Sequence, residues 1–218
     1  AETFPFVQLW YFLPAHKRGP FNTILIGSRQ PIPFNMDRIR ARLEEGEAAL
    51  GGLQPYGLTS AEAVLPHYIA DRQYILEQLE DAPVNSLEFP RYEFFYPWDY
   101  AYQRETQFIE NHELIITLKR NAYADFLENL EANSRDKARI RQTVAAELRY
   151  LAGFGKFLKG MPLAEQYRVF DDALAVAPWN DSLRARIYAQ YRYIASRQND
   201  PAERARLLRR AEALYEDR

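Results

Sequence analysis

The spacing of apolar positions changes character near residue 100. Before it, the most hydrophobic stretches are two short runs, "FPFVQLWYFLP" (Phe4 to Pro14) and "FNTILIG" (Phe21 to Gly27), separated by the polar turn Ala15 to Gly19. Both are rich in aromatic and β-branched residues and apolar at consecutive positions. That is the pattern of strands covered on both faces. With Gly19-Pro20 marking the return turn, the two runs read as a β-hairpin. Two strands cannot be stable alone in water. The pattern therefore predicts that one strand edge lacks its natural neighbour, and that another copy, another chain or the following helices cover it.

The rest of the first hundred residues predicts helices broken by extended pieces. Pro31 and Pro33 remove backbone donors and hold "RQPIPF" extended. Asn35 reads as the N-cap of a helix carrying Met36, Ile39, Leu43 and Leu50, stopped at Gly51-Gly52. Thr59-x-x-Glu62 fits a capping box for a second helix through Tyr68, Ile69, Ile75 and Leu79, kinked or restarted at Pro66. "DAPVNSLEFPRYEFFYPWDYAY" reads as an extended, packed segment with a short strand at Tyr92 to Phe95.

From about Tyr100 onward the period is helical. A long helix is predicted from Tyr100 to about Leu130. The next is capped at Asn133-Ser134 and carries Ile140, Val144, Leu148, Leu151, Phe154 and Leu158 on one face. Three shorter helices follow, at Leu163 to Val176, Leu183 to Ser196 and Arg204 to Tyr215, joined by "APWNDS" and "RQNDPAE". This rhythm is that of a helical-hairpin array. Placing a closing proline at Pro178 aligns Tyr150, Phe157, Phe170 and Ala173 with the tetratricopeptide pattern. Phe154 and Gln166 then stand where that repeat has small residues. A second unit from Asp181 holds Tyr191, Leu208 and Ala211 and needs about four extra residues. Such an array offers either a concave peptide-binding face or a structural cap on the preceding part of the chain. An unrelated helical bundle is the alternative.

Composition sharpens this only in part. The 218 residues are 47% apolar and 14% aromatic, enough for a buried core. Net charge is −2, unevenly spread: 11 Lys/Arg against 19 Asp/Glu in residues 1–131, and 17 against 11 in residues 132–218. The basic part faces the acidic part, an acidic partner, or only solvent. Cysteine is absent, so disulfides, thiolate metal sites and a cysteine nucleophile are excluded. No apolar run reaches the length of a transmembrane helix, and none reads as a signal peptide. Because the chain begins at Ala1, processing or an upstream part is expected. A mature exported protein can also begin in this way.

Candidate chemistry is sparse. His16, His67 and His112 are scattered; His67 has Asp71 at i+4 and Glu62 nearby, too few ligands for a metal. Glu44, Glu45 and Glu47, and Asp171-Asp172, read as solvated faces. Ser28, Ser60 and Ser86 lack a nucleophile-elbow context. "SRDKARIRQ" and "RARLLRR" are basic helix faces without the interleaved aromatics of a nucleic-acid surface, and Tyr188 and Tyr191 read as packing residues. No catalytic, cofactor-binding or metal-binding residue is assigned.

Three stretches carry a family likeness. "TFPFVQLWYFLP…GPFNTILIGS", the helical "GLTSAEAVLPHYIADRQYI" and "PVNSLEFPRYEFFYP" follow one another in the order of the C-terminal end of spermidine synthase-like proteins. Residues 1–98 resemble that end of these aminopropyltransferase relatives of the class I methyltransferase fold. Leu87-Glu88 replaces two aspartates usual there. The resemblance implies that the hairpin is the family's final antiparallel strand pair. It also implies that the parallel sheet, the Gly-rich nucleotide loop and the acidic catalytic residue lie upstream. Within this chain Gly51-Gly52 follows a helix and is no phosphate cradle. The expectation is thus a mostly α chain. Residues 1–98 form a β-hairpin with helices, the tail of an α/β fold, and residues 99–218 form a tetratricopeptide-like domain. The expected role is a non-catalytic C-terminal portion that completes the parent fold and mediates protein interaction or assembly. An independent helical-repeat scaffold or accessory subunit is the alternative. The expected partner is a protein or an upstream domain, a homo-oligomer being open and nucleic acid disfavoured. The expected location is cytoplasmic, membrane-associated through an upstream region in the long bacterial forms, with export left open.

Overall fold

A computed structural model describes residues 4–12, 22–46, 58–78, 104–160 and 162–216. Over these residues the protein is mostly helical, with eight α-helices and a small three-stranded antiparallel sheet. Strands β1 (Phe6–Phe12) and β2 (Asn22–Ser28) pair antiparallel, with Leu9 opposite Leu25 and Trp10 opposite Ile24. The hairpin runs are therefore strands, as their composition requires. The turn between them lies outside the described residues.

The third strand comes from a segment whose spacing predicts helix. Ser60, rather than Thr59, is the N-cap here: its hydroxyl accepts from the Ala63 amide, opening a single helical turn over Ala61–Val64. A 3-10 turn at Leu65–His67 ends that helix at Pro66, and the chain then extends as a strand, Tyr68–Asp71. This strand pairs antiparallel with β1, giving the order β2, β1, third strand, with an irregularity between Leu9 and Trp10. Tertiary pairing overrides the helical spacing because Tyr68, Ile69 and Ala70 are buried on both faces of the strand.

In chain order the helices are α1 (Met36–Glu45), α2 (Ala61–Val64), α3 (Arg72–Gln78), α4 (Arg104–Asn129), α5 (Ser134–Leu158), α6 (Leu163–Val176), α7 (Asp181–Ser196) and α8 (Pro201–Glu216). The strands are β1, β2, β3 (Phe34–Asn35), β4 (Tyr68–Asp71) and β5 (Leu130–Glu131). Asn35 caps α1 through its side chain, accepting from the Arg38 amide. The helix stops at Gly46, whose amide donates to the Arg42 carbonyl, earlier than the expected Gly51-Gly52. Asn133 caps α5 by accepting from the Asp136 amide, and Asn180 caps α7 by accepting from Leu183. Helix α8 starts three residues before the expected Arg204, because Asp200 accepts from the Ala202 amide and Pro201 tolerates the first helical position. The expected strand at Tyr92 to Phe95 lies outside the described residues.

Two aromatic clusters organise the core. Around β1, Trp10, Phe34, Tyr68 and Phe126 meet with ring centroids 4.8–6.1 Å apart. There β3 and β5 form a two-residue parallel bridge that ties the start of α1 to the end of α4. In the C-terminal helices, Tyr150, Phe170, Tyr167 and Tyr191 pack together. Both clusters belong to one hydrophobic core running across position 98.

The four last helices form two hairpins, α5 with α6 and α7 with α8. The first closes tightly at Gly153: a Cβ there would lie 3.0 Å from Val169 Cγ1 and 3.1 Å from Phe170 Cε1. Phe154 packs its ring against Tyr150 and His112. Equivalent helices of the two hairpins lie side by side and parallel. Arg139 of α5 stacks on Trp179 in the turn before α7, and Glu147 of α5 bonds Arg186 of α7. Tyr167 meets Glu203, and Asp171 pairs with Arg210, between α6 and α8. Glu147 and Arg186 are 39 residues apart along the chain.

Candidate functional site

Two features stand out from residues upward: an inner face that the chain has closed with its own side chains, and a sheet edge that it leaves open.

The inner face is where α5 and α7 turn toward the sheet. Glu147 occupies an apolar-stripe position of α5 between Val144 and Leu151, and Arg186 sits beside Leu183 and Ile187 on α7. Their side chains, each 3% exposed, form a two-pronged ion pair, Nη1 to Oε1 at 2.6 Å and Nη2 to Oε2 at 2.5 Å. The guanidinium also lies 4.9 Å above the Tyr150 ring. Burial would raise the Glu147 carboxyl, but the Arg186 charge and hydrogen bonds outweigh it and hold the group at about 2.

Beside this pair lies Lys119 of α4. Its ammonium donates to the carbonyls of Pro66 and, at 2.9 Å, Tyr68, so it clamps the turn from which β4 begins. Burial pushes this amine down to about 8. His67, on the same turn, donates from Nδ1 to the Tyr11 carbonyl of β1 at 2.8 Å and stacks on Phe12. Burial and then the Arg186 charge lower the imidazole to about 4, so the ring is neutral at pH 7. Helix α4 is fastened to α5 by His112, whose Nε2 lies 2.7 Å from the Leu151 carbonyl, with Gly155 leaving room for the ring. The inner face of α5, where a helical array would hold a peptide, is thus filled by Lys119, His67 and β1.

None of the charged members of this seam was singled out by motif. The signal was a charged residue inside an apolar stripe: Glu147 among Ile140, Val144 and Leu151, and Lys119 among Ile115, Leu118, Ala122 and Phe126. A buried charge at a core position requires a partner. Each half of the pair is legible as needing one, but not as having this one.

A second polar knot lies at the surface. Arg40 of α1 bonds both oxygens of Asp136, at 2.8 and 3.0 Å, and Glu62 at 2.7 Å, joining α1, α2 and α5. The Arg40 hydrogen bonds hold the Asp136 carboxyl below its usual range. Glu62 therefore serves Arg40, and the expected capping box is not formed.

The open feature is β2. Ile24, Leu25 and Ile26 are 47%, 65% and 40% exposed. Side chains alternate across a strand, so three consecutive exposed aliphatics mean that both faces of β2 are uncovered. Ile24 and Ile26 share the face of Trp10, and Leu25 shares the face of Leu9. Among the described residues β2 pairs with β1 alone. No charged residue and no proline interrupts Asn22–Ser28, so the usual devices that blunt an edge strand are missing. Phe4 lies over Gly27, where a Cβ would come within 2.8 Å of its ring.

The other sequence candidates resolve into packing. His67 and His112 are buried donors, and no group of three metal-binding side chains exists among the described residues. Asp171 accepts from Tyr191 and pairs with Arg210, so the second basic face is partly spent on helix packing. Ser60 caps a helix and Ser28 bonds the Gln30 amide. His16, Glu47 and Ser86 lie outside the described residues. No described helix is long and apolar enough to cross a membrane. Comparison with family models, with curated proteins and with solved structures finds no match to this chain.

Proposed function

We propose that this chain is the non-catalytic C-terminal portion of a spermidine synthase-like protein. Its β1–β2 pair completes the sheet of an upstream α/β domain, and its tetratricopeptide-like helices brace that strand pair from one side. The observation that carries the reading is the exposure of Ile24, Leu25 and Ile26 on an uncharged edge strand. A strand apolar on both faces belongs inside a sheet layered by helices, and an incoming strand would supply main-chain hydrogen bonds along β2. The closed seam at Glu147 and Arg186 supports a bracing role for the helices over a peptide groove. The pairing of the last four helices into two successive hairpins supports tetratricopeptide-like packing.

A second reading makes the chain an independent accessory subunit whose β2 pairs with another protein. The core that runs continuously from Trp10 and Tyr11 to Ala211 favours it, because such a chain could fold alone.

A photo-crosslinking residue at Leu25, in the full-length protein in its native cell, separates the two. A crosslink to an upstream segment of the same polypeptide is the expected result. A crosslink to a different polypeptide supports the accessory subunit, and no crosslink at all overturns both. Equilibrium dialysis of this chain with labelled S-adenosylmethionine should show no binding; tight binding would contradict a non-catalytic role.

A further inference from the structure

The seam between sheet and helices contains more positive than negative charge. Lys119 from α4 and Arg186 from α7 face a single carboxylate, Glu147 from α5, which is already engaged on both oxygens by Arg186. His67 enters the same space from the turn before β4, with Tyr11 and Phe12 of β1 against it. Its neutral ring is what keeps the excess at one charge. A proton on Nε2 would place a third buried cation beside two others, with no second carboxylate facing it among the described residues.

We propose that His67 is an acid-sensitive latch: protonation of its ring loosens the hold of the C-terminal helices on the strand pair. The residue connects both sides, bonding the β1 backbone while lying among the charges of α4, α5 and α7. The lowered affinity of this ring for protons agrees with the geometry. An unfolded chain takes up that proton near pH 6.5 and the folded one only near pH 4, so folding weakens as pH falls between these values. The device is independent of what occupies the edge of β2.

The test is urea unfolding of this chain at pH 8 and pH 5, alongside His67→Asn, which keeps a donor for the Tyr11 carbonyl. The folding constant of the wild-type chain should fall by roughly thirtyfold more than that of the variant, from the two proton affinities. An equal fall in both proteins overturns the proposal, as does a wild-type constant that does not change. Should the variant not fold, the imidazole titration of the folded wild-type protein by NMR decides. A His67 midpoint near 4 supports the latch, and a midpoint near 6.5 removes it.

Discussion

Arg186 reaches from the second helical hairpin to Glu147 of the first and grips both of its oxygens, 39 residues along the chain and out of contact with water. The pair does not stand alone. It abuts Lys119 and His67, which hold the backbone of the turn before β4 and of β1. One ionic cluster therefore touches the sheet, the long helix and both hairpins.

Removing one partner should be far worse than removing both. Arg186→Leu or Glu147→Leu leaves a buried charge unpaired and should cost about 3–5 kcal/mol. The double variant, with no charge left at the pair, should recover a substantial part of that loss. Urea unfolding of the four proteins in a double-mutant cycle measures it. Single variants within about 0.5 kcal/mol of wild type would mean that the pair is solvated in solution.

Lys119 gives a pH dependence of the opposite sense to the usual alkaline loss. Its folded value, about 8, lies below the unfolded 10.5, so the unfolded chain binds the extra proton in this window. Stability contributed by this group is reduced below pH 8 and is regained as pH rises. Between pH 8 and 10 it should add about 2 kcal/mol. Buried Tyr11, Tyr68 and Tyr123, all raised by burial, oppose this above pH 10. The readout is the unfolding free energy of wild type minus that of Lys119→Met, which should rise by about 2 kcal/mol across that window.

Gly153 is required by the close approach of α6. Gly153→Val should cost about 1–3 kcal/mol, since Val169 and Phe170 already stand at contact with a Cβ. Gly160 is required for a different reason. It ends α5 at φ 68°, with open space around it, so Gly160→Ala should cost only about 1 kcal/mol of backbone strain. Thermal melts of the two variants should rank them in that order.

At the sheet edge, Leu25→Lys should leave the unfolding free energy of this chain within about 0.5 kcal/mol of wild type, since the side chain is mostly in water. The same change should suppress concentration-dependent association, followed by sedimentation velocity. A loss of several kcal/mol would show that Leu25 is buried in solution.

Legibility followed the range of the physics. The β1–β2 hairpin, the caps at Asn35 and Asn133, and the helices from α4 to α8 were readable because propensity, capping and periodicity act within a few residues. The strand Tyr68–Asp71 was not. Its apolar spacing fits a helix, and only the free side of β1 makes extension the better use of its backbone. Two-sided apolarity predicts an edge that is covered, whereas among the described residues the edge of β2 is open, and which strand carries it depended on β4 taking the other side of β1. By itself, then, the sequence determined the local elements and the presence of charges within apolar stripes. Only the tertiary structure decided that Glu147, Arg186, Lys119 and His67 share one buried space, because a buried charge is stabilised by partners that the chain brings from far along its length.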